Sequence, residues 1–113
     1  MITLWHNQRC SKSRQALALL QAAGAEFTLR KYLDDAPTRS ELDAVLMALR
    51  LAPIGMIRKG ETLFKTLNLS PQSDPETLMQ AMTDHPILIE RPIAIRGSRA
   101  VIGRPPEAIK ALL

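Results

Sequence analysis

The sequence predicts an α/β protein: a four-stranded mixed sheet flanked by helices, with a helical insertion between a βαβ half and a ββα half. Three observations carry this. A short apolar run, a helix-spaced segment and an alternating segment follow one another between Ile2 and Tyr32, the pattern of strand, helix and strand. The stretch from about 38 to 84 shows helix starts and helical spacing but no strand pattern. From Pro86 onward, two β-prone runs flank Gly97-Ser98 and a short helical segment follows.

Ile2-Thr3-Leu4-Trp5 is apolar and β-prone, and Ser13 to Ala23 has Leu17 and Leu20 at helical spacing. Gly24 is a natural left-handed terminator for that helix. Glu26 to Tyr32 alternates apolar with polar residues and reads as a second strand, parallel to the first by a right-handed crossover. Asp34-Asp35-Ala36-Pro37 is a turn. Thr38-Arg39-Ser40-Glu41 is a capping box, followed by Leu42, Val45, Leu46 and Leu49 on one helical face. Pro53 interrupts the pattern; Ile54 to Arg58 reads as a short helical piece and Glu61 to Leu67 as a further turn or two. Asp74-Pro75 is an N-cap with proline at the first helical position, and Leu78, Met79 and Met82 form the face behind it. Ile93-Ala94-Ile95, a Gly97-Ser98 turn of the II′ kind and Ala100-Val101-Ile102 make a hairpin, and Pro105-Pro106-Glu107 opens a last helix to Leu113.

Length and composition fit one domain spanning 1–113, with 46% apolar residues for a single core. One cysteine excludes an internal disulfide, a four-cysteine metal site and a two-cysteine redox centre, so any disulfide chemistry recruits its second sulfur from outside. No metal site is expected. The N-terminus lacks a signal-peptide pattern and no stretch approaches a membrane span, which places the chain in the cytoplasm, where thiols stay reduced. The formal charge of +4 raises nucleic acid as a partner, but the ten arginines are scattered and only four aromatics are available for stacking. A small anionic substrate accounts for them as well or better. Nothing requires more than a monomer.

The only cysteine, Cys10, stands where a strand hands over to a helix, among Arg9, Lys12 and Arg14. Backbone N–H groups and the helix dipole favour an anion there, so Cys10 is a candidate nucleophile. The alternative is a small, inert, buried thiol; the polar, cationic surroundings weigh against it. His6 is open to two roles, a hydrogen-bonding or capping group and a base for the thiol. Arg58, Arg91 and Arg104 each lie beside a bend, and guanidinium groups bind tetrahedral oxyanions through paired donors. Spacing alone leaves each a surface residue; together with Cys10 they form a candidate site for phosphate, sulfate or arsenate. The Arg91–Pro92 bond can be cis, although only ~5% of such bonds are.

These residues also resemble a known family. His6-Asn7-x-x-Cys10-x-x-Ser13-Arg14, Tyr32-Leu33 with Pro37-Thr38 and Glu41-Leu42, Ile57-Arg58-Lys59, His85-Pro86-Ile87-Leu88-Ile89-x-Arg91-Pro92-Ile93 and Arg104-Pro105 together resemble the glutaredoxin-coupled arsenate reductases over nearly the full length, as a short member. The resemblance implies a thioredoxin-like fold, a cis peptide before Pro92 and catalysis by Cys10. It implies an oxyanion held by Arg58, Arg91 and Arg104, with His6 assisting thiolate formation and Ser13 placed beside it in that role. It further implies glutathione as co-substrate and glutaredoxin as partner, with no bound cofactor, no nucleic acid and no membrane. Gln8 stands where many relatives have proline, and Ser11-Lys12 replaces a more usual Gly-Thr. Three functions follow for comparison: reduction of arsenate to arsenite, glutathione-dependent thiol-disulfide exchange without arsenate activity, and a non-enzymatic adaptor in which Cys10 is a bystander.

Overall fold

In the computed structural model, which describes residues 1–113, Ile2–Trp5 forms strand β1, and each neighbour it takes belongs to a different half of the sequence. It pairs in parallel with β2 (Phe27–Arg30) and antiparallel with β3 (Ile93–Arg96), which pairs in turn with β4 (Arg99–Ile102), giving the order β2-β1-β3-β4. The chain divides into two compact units, Met1–Asp35 with Arg91–Leu113, and Ala36–Glu90.

The first unit carries the sheet. Helix α1 (Ser11–Ala22) crosses from β1 to β2, and Gly24 follows it at φ +65, the left-handed terminator that the sequence predicts. Ala16 and Leu20 of α1 bury against Ile2, Leu4, Ala94, Ile109 and Leu112 in one apolar cluster. β2 stops earlier than its alternation predicts, because the Lys31 carbonyl accepts from the N–H groups of both Asp34 and Asp35 and turns the chain. In the hairpin, Gly97 has φ +60, as the first central position of a II′ turn demands. The last segment, Pro106–Leu112, is a 3₁₀ helix rather than an α-helix, with three-residue bonds from the Ala108 N–H to the Pro105 carbonyl and from the Leu113 N–H to the Lys110 carbonyl.

The second unit is mostly helical. In α2 (Arg39–Leu49) the capping box is complete: Thr38 Oγ1 accepts from the Glu41 N–H at 3.1 Å, and Glu41 Oε1 accepts from the Thr38 N–H at 3.0 Å. α3 (Thr62–Thr66) is a single short turn, and α4 (Pro75–Asp84) buries Leu78, Met79 and Met82 as their spacing predicts. Asp74 stands at the N-cap of α4 without a side-chain capping bond. One expectation is corrected. After a 3₁₀ turn at Pro53–Gly55, the stretch through Ile57 is not helical: Ile57 and Ile89 form an antiparallel bridge, the Arg58 N–H donating to the Leu88 carbonyl and the Glu90 N–H to the Met56 carbonyl. Both isoleucines are buried, so the segment takes the extended form that lets two apolar side chains leave water together. No helix is long and apolar enough to cross a membrane.

Gly103 bears on both the core and the arginine that follows it. A Cβ there would lie 2.7 Å from Pro92 Cγ and 3.2 Å from Ile109 Cγ2. Gly103→Ala is expected to destabilise the protein by about 1–3 kcal/mol, the usual cost of overpacking, seen as a lower midpoint in urea or thermal unfolding.

Candidate functional site

β1 ends at Trp5, and the His6 N–H continues its ladder by donating to the Arg30 carbonyl at 2.8 Å. The chain then turns: the Cys10 N–H donates to the Asn7 carbonyl at 2.9 Å and the Arg9 N–H to Asn7 Oδ1 at 3.0 Å. This turn delivers Cys10 to the N-cap of α1 in extended conformation, φ −95 and ψ 123. Cys10 makes no conventional capping bond. Its half-buried sulfur faces the Ser13 and Lys12 N–H groups, which have no partner within the helix.

Burial pushes the Cys10 thiol up, but the Ser13 N–H, the Arg91 guanidinium, the Ser13 hydroxyl and the Lys12 N–H together outweigh it, and the thiol is lowered to about 7. Arg104 adds a second guanidinium, with Nη2 3.8 Å from Sγ. Arg104 is itself aimed by Arg91, whose carbonyl accepts from Arg104 Nε at 2.7 Å. The Arg91–Pro92 and Arg104–Pro105 peptide bonds are both cis. The structure therefore brings Cys10, Ser13, Arg91 and Arg104 together.

His6 is 5% exposed, and burial followed by the charge of Lys31 lowers its pKa, with the Ser13 backbone opposing. The imidazole is thus held neutral beside the start of α1. Arg58 belongs to the other unit, where its Nη1 donates to Glu90 Oε1 at 3.0 Å and its Nε lies 3.5 Å from Glu61 Oε2. No group of three or more His, Cys, Asp or Glu side chains is arranged to hold a metal.

Charge is distributed to the same end. The chain from Met1 through Ala25 contains no Asp or Glu, and α1 has no acidic residue in its first turn. The unit carrying Cys10 has ten Lys and Arg against four Asp and Glu, whereas the Ala36–Glu90 unit has five against seven. A carboxylate near the sulfur would repel the thiolate and compete for the arginines; none is within that part of the chain.

Tyr32 is the functional neighbour that spacing does not single out. It is fully buried and stacked on Trp5, and burial works against the Arg91 charge while Cys10 and Tyr32 favour it. Two signals point to it in the sequence: it is the chain's only tyrosine, and it closes the β2 segment in the Tyr32-Leu33 motif.

A thiol lowered to about 7 is half ionised at neutral pH, and only the thiolate attacks. Alkylation of Cys10 by neutral iodoacetamide is therefore expected to rise with pH to half its plateau near pH 7 and level off above it. Arg91→Gln removes a charge that favours the ionised form, so its midpoint moves to higher pH, measurable from the loss of free thiol across a pH series.

A family model described as the ArsC family matches residues 5–112. The chain is 46% identical over 114 residues to an arsenate reductase of Neisseria meningitidis serogroup A, covering 99% of this chain and 97% of that protein. It is 41% identical over 110 residues to the uncharacterized protein YfgD of Escherichia coli, covering 96% and 92%. An arsenate reductase from Vibrio cholerae superposes with a TM-score of 0.93 at 41% identity, covering 99% of this chain and 97% of that one. The mixed four-stranded sheet flanked by helices is the thioredoxin-like fold of these structures. With nearly its full length matched in sequence and in structure, the chain belongs to the ArsC family.

Proposed function

We propose that the protein reduces arsenate to arsenite, with Cys10 as nucleophile and thiols from outside the chain as the source of electrons. The observation that carries this is a sulfur lowered to about 7 with an arginine guanidinium 3.8 Å away, in a family whose relatives include arsenate reductases. The Cys10 thiolate attacks arsenic; an As–S bond forms, an As–O bond breaks, and the departing oxygen takes protons and leaves as water. Arg91 and Arg104 hold the remaining oxygens and offset their charge. Their guanidinium groups stay charged throughout, so the site does not lose its hold on the anion as protons move.

Reduction of As(V) to As(III) needs two electrons, and the chain has one cysteine. Glutathione attacks the arsenylated cysteine, and glutaredoxin resolves the glutathione adduct. The sum is one arsenate and two thiols converted to one arsenite, one disulfide and one water, with Cys10 regenerated. Within the unit that holds Cys10, the arginines that hold the anion are Arg91 and Arg104; Arg58, in the other unit, is ion-paired with Glu90 and Glu61. A reducing cytoplasm suits a free, ionised thiol. A bystander cysteine in a binding adaptor would be expected to keep an ordinary thiol, near 8.5, which the lowering of Cys10 disfavours.

The test is an assay with arsenate, glutathione, glutaredoxin, glutathione reductase and NADPH. Wild-type protein is expected to consume NADPH only when arsenate is present, and Cys10→Ser to abolish the rate. Arg104→Lys keeps the charge but loses the paired donors, and is expected to lower kcat/KM for arsenate about tenfold. Arsenite production by Cys10→Ser would overturn the mechanism. Disulfide exchange at Cys10 without arsenate turnover, and without protection of Cys10 from alkylation by arsenate, would assign the protein to thiol-disulfide chemistry instead.

A further inference from the structure

Building on the assignment of Cys10 as the nucleophile, we infer that Arg14 is a positioning residue whose guanidinium ties down the turn that carries the sulfur. The bond from the Cys10 N–H to the Asn7 carbonyl, at 2.9 Å, closes a β-turn over Asn7-Gln8-Arg9-Cys10, with Gln8 and Arg9 at its centre. Asn7 Oδ1 braces it by accepting from the Arg9 N–H at 3.0 Å, as an asparagine in first position does. The Gln8 carbonyl has no partner inside such a turn. Arg14 supplies one, its Nη1 donating to that oxygen at 2.9 Å. The Arg14 main chain holds the same stretch, its N–H donating to the Cys10 carbonyl at 3.1 Å.

The side-chain bond closes the segment from Gln8 to Arg14 on itself. That segment contains the sulfur and the first-turn N–H groups of α1, which have no partner within the helix. An N-cap serine or aspartate locks a helix start with its own side chain. Cys10 stands at the N-cap and makes no such bond, so its sulfur is left for chemistry and the joint between turn and helix is unlocked from that side. Arg14 locks it from the other side, one turn along the helix. The spacing of Arg14 from Cys10 also suits a guanidinium that meets an anion in front of the sulfur; the structure gives Nη1 to a backbone carbonyl instead.

Arg14→Gln removes the bond and the charge together, and two further variants separate them. Loss of one hydrogen bond shifts the Cys10 ionisation about fivefold toward the thiol, so the midpoint of alkylation by iodoacetamide is expected to rise and the rate at pH 7 to fall about threefold. Arg14→Lys keeps the charge and the single donor that one carbonyl needs, and is expected to stay near wild type. Gln8 stands at the turn position where proline is favoured, and its N–H takes no part in the bonds above. Gln8→Pro added to Arg14→Gln therefore fixes the turn without restoring charge, and is expected to recover most of the rate. Amide exchange followed by NMR reads the joint directly: in Arg14→Gln the Cys10 N–H is expected to exchange faster while the β1 N–H groups keep their protection. A wild-type midpoint for Arg14→Gln would overturn the assignment, as would a raised midpoint with unchanged Cys10 N–H exchange, the mark of a charge effect alone. So would a double variant no faster than Arg14→Gln, provided Gln8→Pro alone alkylates as wild type; where it does not, the exchange result decides. Alkylation needs no arsenate, so the two readings fail differently. If the reductase reading fails, arsenate is not turned over while the Arg14→Gln shift persists; if the Arg14 role fails, turnover persists and the shift, or the faster exchange, is absent.

Discussion

A negative sulfur in a half-buried position has to be matched by positive charge that stays close and does not dissociate. Burial alone would push the Cys10 thiol up and leave it unreactive at neutral pH. Two kinds of group reverse this. The N–H groups of the first turn of α1 are fixed by the helix itself and cost no reorganisation, and the guanidinium groups of Arg91 and Arg104 add full charges at the mouth of the site. Acids among them would repel the thiolate and compete for the arginines. Their exclusion from the chain between Met1 and Ala25 is therefore as much a part of the site as the residues that touch the sulfur.

The sheet exists to place these groups. β1 is central, and the turn from Trp5 to Cys10 sets the sulfur at the helix start, while β3 begins two residues after Arg91. Arg104 follows β4 by two residues and is tied to the Arg91 carbonyl. Two strand ends far apart in sequence thus deliver two guanidinium groups to one thiol. Gly103 permits this approach, because the space a side chain would fill is already taken by Pro92 and Ile109. Packing in the core and geometry at the sulfur are consequently the same problem in this part of the chain.

Much of this was legible in the residues themselves. Thr38 and Glu41 announce the start of α2 through local chemistry, Gly97-Ser98 announces the hairpin, and the alternation or spacing of apolar residues locates all four strands and the long helices. Cys10 at a helix start is likewise a local statement, since the strand, the turn and the helix follow one another without a break from Ile2 to Ala22. What sequence leaves open depends on tertiary partners. Ile57 pairs with Ile89, far along the chain, and no local preference specifies that bridge over a helical turn. The three arginines are equally ambiguous by spacing: Arg91 and Arg104 meet the sulfur's surroundings, whereas Arg58 finds Glu90 and Glu61. Tyr32 is an ordinary aromatic near a strand end until the fold buries its ring against Trp5.

The solitude of Cys10 also sets how the protein ages. An ionised, accessible sulfur is the first target of peroxide, and the product of the first encounter is a sulfenic acid. Proteins with a neighbouring thiol trap that species as an internal disulfide and are rescued by ordinary reductants. This chain has no such neighbour, so its sulfenate either meets a thiol from solution or proceeds to the sulfinic and sulfonic forms, which are not readily reversed. A surrounding pool of small thiols would then protect the sulfur from permanent damage between turnovers, apart from any part it takes in the reaction itself.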